Sequence, residues 1–184
     1  MDVVTWEEEV ELERRQKDRF FALHPQSPLS EDDQLQFAGL DYFPADPKYR
    51  FEVELERHEN AEVISIEDTT GGTREMTRAG EFRFEVDGVA CTLQAYRSDP
   101  LEERLFVPFR DRSNGEETYP AGRHLDLEPD RSLTDDGSWI VDLNRAYNPW
   151  CAYSEAYACP FVLPENWLKV RIAAGERAFR LGKQ

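Results

Sequence analysis

Lysine is scarce in this chain: of its 22 basic residues only Lys17, Lys48, Lys169 and Lys183 carry an ammonium, and the other 18 are arginine. Basic charge as a whole is outnumbered, 22 residues against 38 acidic ones, which leaves a net charge of −16 and a sequence pI near 4.6. Binding a phosphate backbone requires a basic face. Asp and Glu are instead dispersed through nearly every segment, so no nucleic-acid partner is expected. Long apolar runs are missing too. Stretches such as Leu105 to Phe109 fall far short of the ~20 residues a spanning helix needs, so no membrane partner is expected either. The N-terminus, MDVVTWEEEVELERRQKD, lacks the positive patch and apolar core of a secretory signal. No export sequence is expected, and the cytoplasm is the expected location.

What is present fits molar salt. A self-repelling acidic surface is tolerable where the Debye length falls to ~3 Å, and it keeps a protein soluble there. Dispersed acidity with so little lysine therefore resembles proteins of salt-loving archaea; an ordinary acidic bacterial protein is the alternative. A length of 184 residues fits a single domain over residues 1–184.

Three regions divide it. Over residues 1–24 an N-terminal helix is expected, since Thr5-Trp6-Glu7-Glu8 is a capping-box pattern and Glu7, Glu8 and Glu9 lie near the positive end of the helix dipole. Trp6, Val10, Phe20 and Phe21 supply its apolar stripe, and it should end near Ala22. Residues 25–47 carry Pro25, Pro28, Pro44, Pro47 and Gly39, which predicts a wrapping loop anchored by Phe37, Tyr42 and Phe43.

Residues 48–184 read as a β-rich body. Tyr49, Phe51, Val53 and Leu55 alternate with charged residues, as on a half-buried strand. In FRFEVDGVACTLQAY the Asp87-Gly88 pair fits a two-residue type I′ turn. That turn sets a register of Val86 opposite Val89, Phe84 opposite Cys91 and Phe82 opposite Leu93, and it places Cys91 in the core. Further strands are expected over 61–67, 73–78, 104–109, 139–144 and 167–172, with a turn at Asn114-Gly115. The expected architecture is mainly β: an antiparallel β-sandwich or partly open β-barrel flanked by the N-terminal α-helix.

Polar and aromatic residues concentrate between Asp142 and Pro160, DLNRAYNPWCAYSEAYACP. The strand entering it should deliver Asp142 and Asn144 together at its end, as a pocket floor or as a turn-shaping pair. His124 and Asp126 share one face of an extended segment while Arg123, Leu125 and Leu127 take the other. A His beside a carboxylate can hold a tautomer for metal binding or base chemistry, or it can be a surface ion pair. Arg110, Arg123 and Arg145 offer bidentate recognition of carboxylate or phosphate, or ties to neighbouring acidic residues. Tyr147, Trp150, Tyr153 and Tyr157, with Tyr119, could wall a small-molecule pocket. Cys151 and Cys159 form C-x7-C, which matches neither common zinc spacing nor a C-x-x-C redox motif; packed thiols, a disulfide, a metal site with His124 and a nucleophile all remain open.

In order along the chain, WEEEVELERRQKDRFF, SPLS, FAGLDYFPADPKYRF, LFVPFRD, TYPAGRHLDL, DLNRAYNPWCAYS, ACP, PEN and AGE resemble a family of bacterial and archaeal proteins known as domain of unknown function 1684. The resemblance spans nearly the whole sequence. It departs from the family's wording at His124, Leu143 and Trp150, where Tyr, Phe and Pro are expected. It implies one compact domain and no particular reaction or cofactor.

Three functions follow as expectations. The first is a pocket for a small, anionic molecule built from Arg110, Tyr119, Arg123, Asp126, Asp142, Asn144, Arg145 and Tyr153. The second is a metal-assisted or cysteine-dependent hydrolase using Cys151 with His124, and with Cys159 if a metal is held. The third is a protein-interaction domain that meets its partner through the N-terminal helix or the 25–47 segment.

Overall fold

A computed structural model describes residues 4–182. Thr5 caps an α-helix, α1 (Trp6–Leu23), through a capping box in which its hydroxyl accepts from Glu8 N–H and the Glu8 carboxylate accepts from Thr5 N–H. The helix runs one residue past Ala22 and is capped by His24. Its buried face differs from the expected apolar stripe, comprising Val10, Arg14 and Phe21. Polar bonds hold it down: Trp6 Nε1 donates to Asp142 (2.7 Å), Arg14 to the Asn144 carbonyl (3.4 Å), and Lys17 pairs with buried Glu176.

The 25–47 segment wraps as expected, with one addition. A short helix, α2 (Glu31–Gln36), starts at Ser30, whose side chain accepts from Asp33 N–H. Phe21, Leu29, Leu40 and Tyr153 form the small cluster under this segment, with Phe37 and Tyr42 against it.

Eight strands follow: β1 (Arg50–Val53), β2 (Glu56–Arg57), β3 (Val63–Glu67), β4 (Thr73–Val86), β5 (Val89–Arg97), β6 (Leu105–Phe106), β7 (Asp126–Leu127) and, after a single helical turn α3 (Pro129–Ser132), β8 (Trp139–Asp142). β1 and β8 form one antiparallel sheet, with Arg50 opposite Asp142 and Val53 opposite Trp139. The other sheet runs β2-β4-β5-β6-β7, with β3 pairing the distal half of β4. Among the described residues no barrel closes. The two sheets share one core, in which Phe51 meets Phe84 (ring centroids 4.5 Å apart) and Phe82 meets Trp139 (6.4 Å). The fold is mainly β, an open antiparallel sandwich with an N-terminal helix.

The β4–β5 hairpin has the predicted register throughout its apolar face, Phe82 to Leu93, Phe84 to Cys91 and Val86 to Val89. Asp87 (φ 50°) and Gly88 (φ 76°) both adopt the left-handed conformation a type I′ turn requires. Three strand expectations need correction. The segment 73–78 is not a separate strand but the outer half of β4. The strand at 139 stops at Asp142, where the Asp142 carboxylate accepts from Asn144 N–H (3.1 Å) and turns the chain into a 3-10 helix, Leu143–Arg145. Residues 167–172 are extended but form no ladder; they bond intermittently to the 110–112 segment through Leu168 N–H to the Arg110 carbonyl and Ile172 N–H to Asp111.

A bulge between Arg78 and Gly80 interrupts β4. An extra residue reverses which alternate side chains face which way. Beyond the bulge Phe82 and Phe84 enter the shared core, whereas before it Met76 joins Ile66 and Tyr96 in a cluster on the opposite face. The β4–β5–β6–β7 sheet therefore has a second, partly covered face.

Gly122 marks a close backbone approach beside this sheet. Its φ is +105°, and a Cβ there would lie 2.5 Å from the Phe109 carbonyl oxygen. Gly122→Ala is expected to cost about 1–3 kcal/mol from the backbone conformation alone, with steric overlap added. Urea unfolding should show a lower midpoint at an unchanged slope; an unchanged midpoint would contradict the geometry.

Candidate functional site

The second face of the larger sheet holds a cleft of about 310 Å³. Its floor comes from alternation: Arg74 and Met76 on β4, Phe106 on β6, His124 just before β7 and Asp126 on β7. Leu125 and Leu127, one residue out of phase, point the other way into the shared core. Its roof is the segment between Tyr147 and Pro160, which contributes Tyr147, Trp150 and Cys159. The roof is tied to the sheet at both ends. His124 and Tyr147 exchange backbone bonds (2.8 and 2.9 Å), Thr69 N–H donates to the Cys159 carbonyl (3.0 Å), and Arg74 donates to the Ala158 carbonyl (2.7 Å).

Within the cleft the charges are unevenly matched. Asp126 accepts from the Tyr147 hydroxyl (2.5 Å) and lies 3.5 Å from the Arg104 guanidinium, which also donates to Glu102. Burial, then the Asp126 charge, raises the Tyr147 hydroxyl well above its ordinary pKa, so Tyr147 stays a neutral donor. Arg74 has a different setting, since its hydrogen bond goes to a carbonyl and not to a carboxylate. His124 packs edge-on against Phe106 (4.8 Å) and Tyr147 (5.8 Å). Burial first and the Arg74 charge second push its pKa down to about 4. The imidazole is thus neutral at pH 7, with its uncharged ring against two aromatic rings.

The cysteines meet behind the roof. Cys151 N–H donates to the Cys159 sulfur (3.4 Å), and the Tyr119 hydroxyl donates to the Cys151 sulfur at 3.8 Å. Burial, then Cys151, pushes the Cys159 thiol up to about 12, and burial, then Cys151, pushes Tyr119 up to about 12. A thiol held so high is a poor nucleophile. Among the described residues no three of His, Cys, Asp and Glu converge closely enough to hold a metal ion, so His124, Cys151 and Cys159 do not form a ligand set.

The structure separates the residues that the sequence grouped together. His124, Asp126 and Cys159 line the cleft. Asp142, Asn144 and Arg145 meet at the α1 junction: Arg145 binds Asp142 (2.5 Å) and Glu13 (2.9 Å), and Asn144 exchanges two 2.9 Å bonds with the Asp46 backbone. Asp142 and Arg145, together with Glu9, Glu13, Asp126 and Glu128, border a larger groove of about 620 Å³ beside α1, whose carboxylates repel an anion. Arg123 lies in the interior, fully buried, bonded to Asp111 (2.9 Å) and to the carbonyls of Ile172, Ala174 and Glu176. Arg110 stacks over Trp167 (4.7 Å). Tyr153 donates to Glu176 under the wrapping segment.

Sequence reasoning passed over Arg74, Arg104 and Phe106 as site residues. Phe106 could have been found from the alternation of Leu105, Phe106 and Val107; Arg74 could not, because its direction depends on the bulge.

No curated protein matches this chain. Five solved chains do, among them the solution NMR structure of an uncharacterized protein of Haloarcula marismortui, 40% identical, covering 94% of each chain with a TM-score of 0.72. The profile of a family described as "Protein of unknown function (DUF1684)" matches residues 35–177. These residues include the whole cleft and the 142–160 segment that roofs it, and on that match the chain belongs to the DUF1684 family.

Proposed function

We propose that the protein binds a small molecule with an anionic group and a flat or apolar body in the cleft between the β4–β7 face and its roof. The observation that carries this reading is Arg74. Its guanidinium borders a cleft walled by Phe106, Tyr147 and Trp150 and donates to a carbonyl instead of a carboxylate, in a chain with 38 acidic residues. A guanidinium presents donors in a planar fork that suits carboxylate or phosphate, and the aromatic walls and neutral His124 accept a flat body without desolvating a charge. Concentrated salt assists this. With the Debye length near ~3 Å the acidic surface no longer repels an anion, and the local contact with Arg74 decides binding.

The test is titration of the folded protein with benzoate, and with neutral benzamide as control, followed by amide NMR shifts and Trp150 fluorescence. Benzoate is expected to shift signals at Arg74, His124 and Trp150. Affinity should fall about tenfold or more in Arg74→Ala, the order expected for one charge-assisted bond. No shift at the cleft, or equal affinity for benzoate in Arg74→Ala, would remove this reading.

A cysteine hydrolase is less well supported. In the pairing of Cys151 with His124 the base would be an imidazole on the cleft floor whose pKa burial and then the Arg74 charge push down to about 4, which makes it a weak base.

A further inference from the structure

We propose that Cys151 and Cys159 are a thiol pair that reacts with small disulfides to form an intramolecular disulfide, with Cys151 attacking and Cys159 resolving. The inference does not depend on the cleft's being a ligand site.

Three observations carry it. The two residues are in contact, with Cys151 N–H 3.4 Å from the Cys159 sulfur. A disulfide needs close approach of this kind, with Cα atoms ~4.4–6.8 Å apart. The pair also sits on irregular backbone: Cys151 lies in a 3-10 turn, Trp150–Ala152, and no ladder constrains residues 152–158. Small adjustments of the intervening loop can therefore bring the sulfurs to bonding distance. Finally, the two thiols are unequal. Cys151 is partly exposed and receives the Tyr119 hydroxyl as a donor at 3.8 Å, whereas Cys159 is buried. Cys91, the third cysteine, is buried in the shared core.

The order of events follows from that inequality. The partly exposed Cys151, after giving its proton to solvent, attacks one sulfur of a small disulfide; a protein–S–S–R bond forms and one RS⁻ leaves. Burial, the larger cause of the raised Cys159 thiol, remains, but the smaller raising influence of the Cys151 thiol disappears, and the Arg74 charge continues to favour the Cys159 thiolate. Cys159 gives its proton to solvent and attacks the Cys151 sulfur, releasing the second RS⁻. Both leaving thiolates take up a proton. In sum, two protein thiols are oxidised and one small disulfide is reduced to two thiols. Because both cysteines belong to the 147–160 roof and Cys159 lines the cleft, the cross-link fixes the shape of the roof loop between them.

The experiment exposes the folded full chain, in molar salt, to hydroxyethyl disulfide, and follows it by intact mass and peptide mapping. Wild type is expected to lose two hydrogens, retain no adduct, and yield a Cys151–Cys159 peptide with Cys91 free. Cys159→Ser is expected to halt at a mixed disulfide on Cys151, and Cys151→Ser to remain unmodified over the same time. A wild-type protein that keeps a stable adduct on Cys151, or that stays fully reduced, overturns the proposal. Modification of Cys159 in Cys151→Ser overturns the assigned order. Peptide mapping of wild type decides the main point without any variant.

Discussion

Replacing Arg123 with Ala is expected to cost about 3–5 kcal/mol, the range for removing one partner of a buried ion pair, and so a large part of the ~5–15 kcal/mol that holds a typical domain folded. The reason lies in what the guanidinium joins. It is fully buried, stacks 5.2 Å from the Phe109 ring, binds Asp111 and donates to three carbonyls of the 172–176 segment. That segment has no strand ladder of its own, so Arg123 performs the fastening that a β-strand would otherwise provide. Burial pulls the Arg123 pKa below its ordinary value while Asp111 pulls it upward. Without the arginine, Asp111 keeps only the Ser113 and Ile172 N–H groups on one oxygen and loses the partner of the other. Arg123→Lys should recover part of the loss, since an ammonium retains charge but lacks the fork. Equilibrium unfolding in constant molar salt measures this. A loss below about 1 kcal/mol in Arg123→Ala would mean that the 172–176 segment is held by other contacts.

Stability is also expected to fall as pH drops from about 6.5 to about 4, and His124 is the named source. The sign follows from its depressed pKa. Above pH 6.5 the imidazole is neutral in both folded and unfolded chains, and its burial carries no penalty that depends on pH. Between 6.5 and about 4 the unfolded chain binds a proton that the folded chain does not, which favours unfolding. Each pH unit in that window removes about 1.4 kcal/mol, so the loss approaches roughly 3 kcal/mol and then levels off. Carboxylates titrate over part of the same window, so the informative quantity is the difference between wild type and His124→Tyr. That variant places at 124 the residue the family resemblance leads one to expect, and its unfolding free energy should lack the His124 share of the slope. Parallel pH profiles for the two proteins would refute the assignment.

Much of the architecture was legible in the sequence because its signals are local. Thr5 and Glu8 sit at capping-box spacing, and Asp87-Gly88 between two apolar runs set the hairpin register. Legibility ended where tertiary contacts decide. Arg14 and Lys17 dock the helix because Asn144 and Glu176 await them, which no local pattern announces. The direction of Arg74 follows from a bulge that no residue type announces. Asp142 and Asn144 were correctly paired as neighbours; nothing local told whether their bonds would go to a ligand or to Trp6 and Asp46. Asn166, fully buried and bonded to Gln94 and Pro108, shows the same limit from the other side, since a single amide here replaces a run of ladder bonds.

The pairing of β1 with β8 also sets a timetable for synthesis. Phe51 and Val53 leave the ribosome about 90 residues before Val141 and Trp139, their partners in register. At ~5–20 residues per second that interval is on the order of 10 s. The β4–β5 hairpin, closed by two residues, can form within it, but one side of its apolar face stays uncovered until β8 emerges. A nascent chain of this protein therefore passes through a stage, lasting seconds, in which its most apolar surface is assembled but not yet enclosed, and in which a chaperone has most to offer.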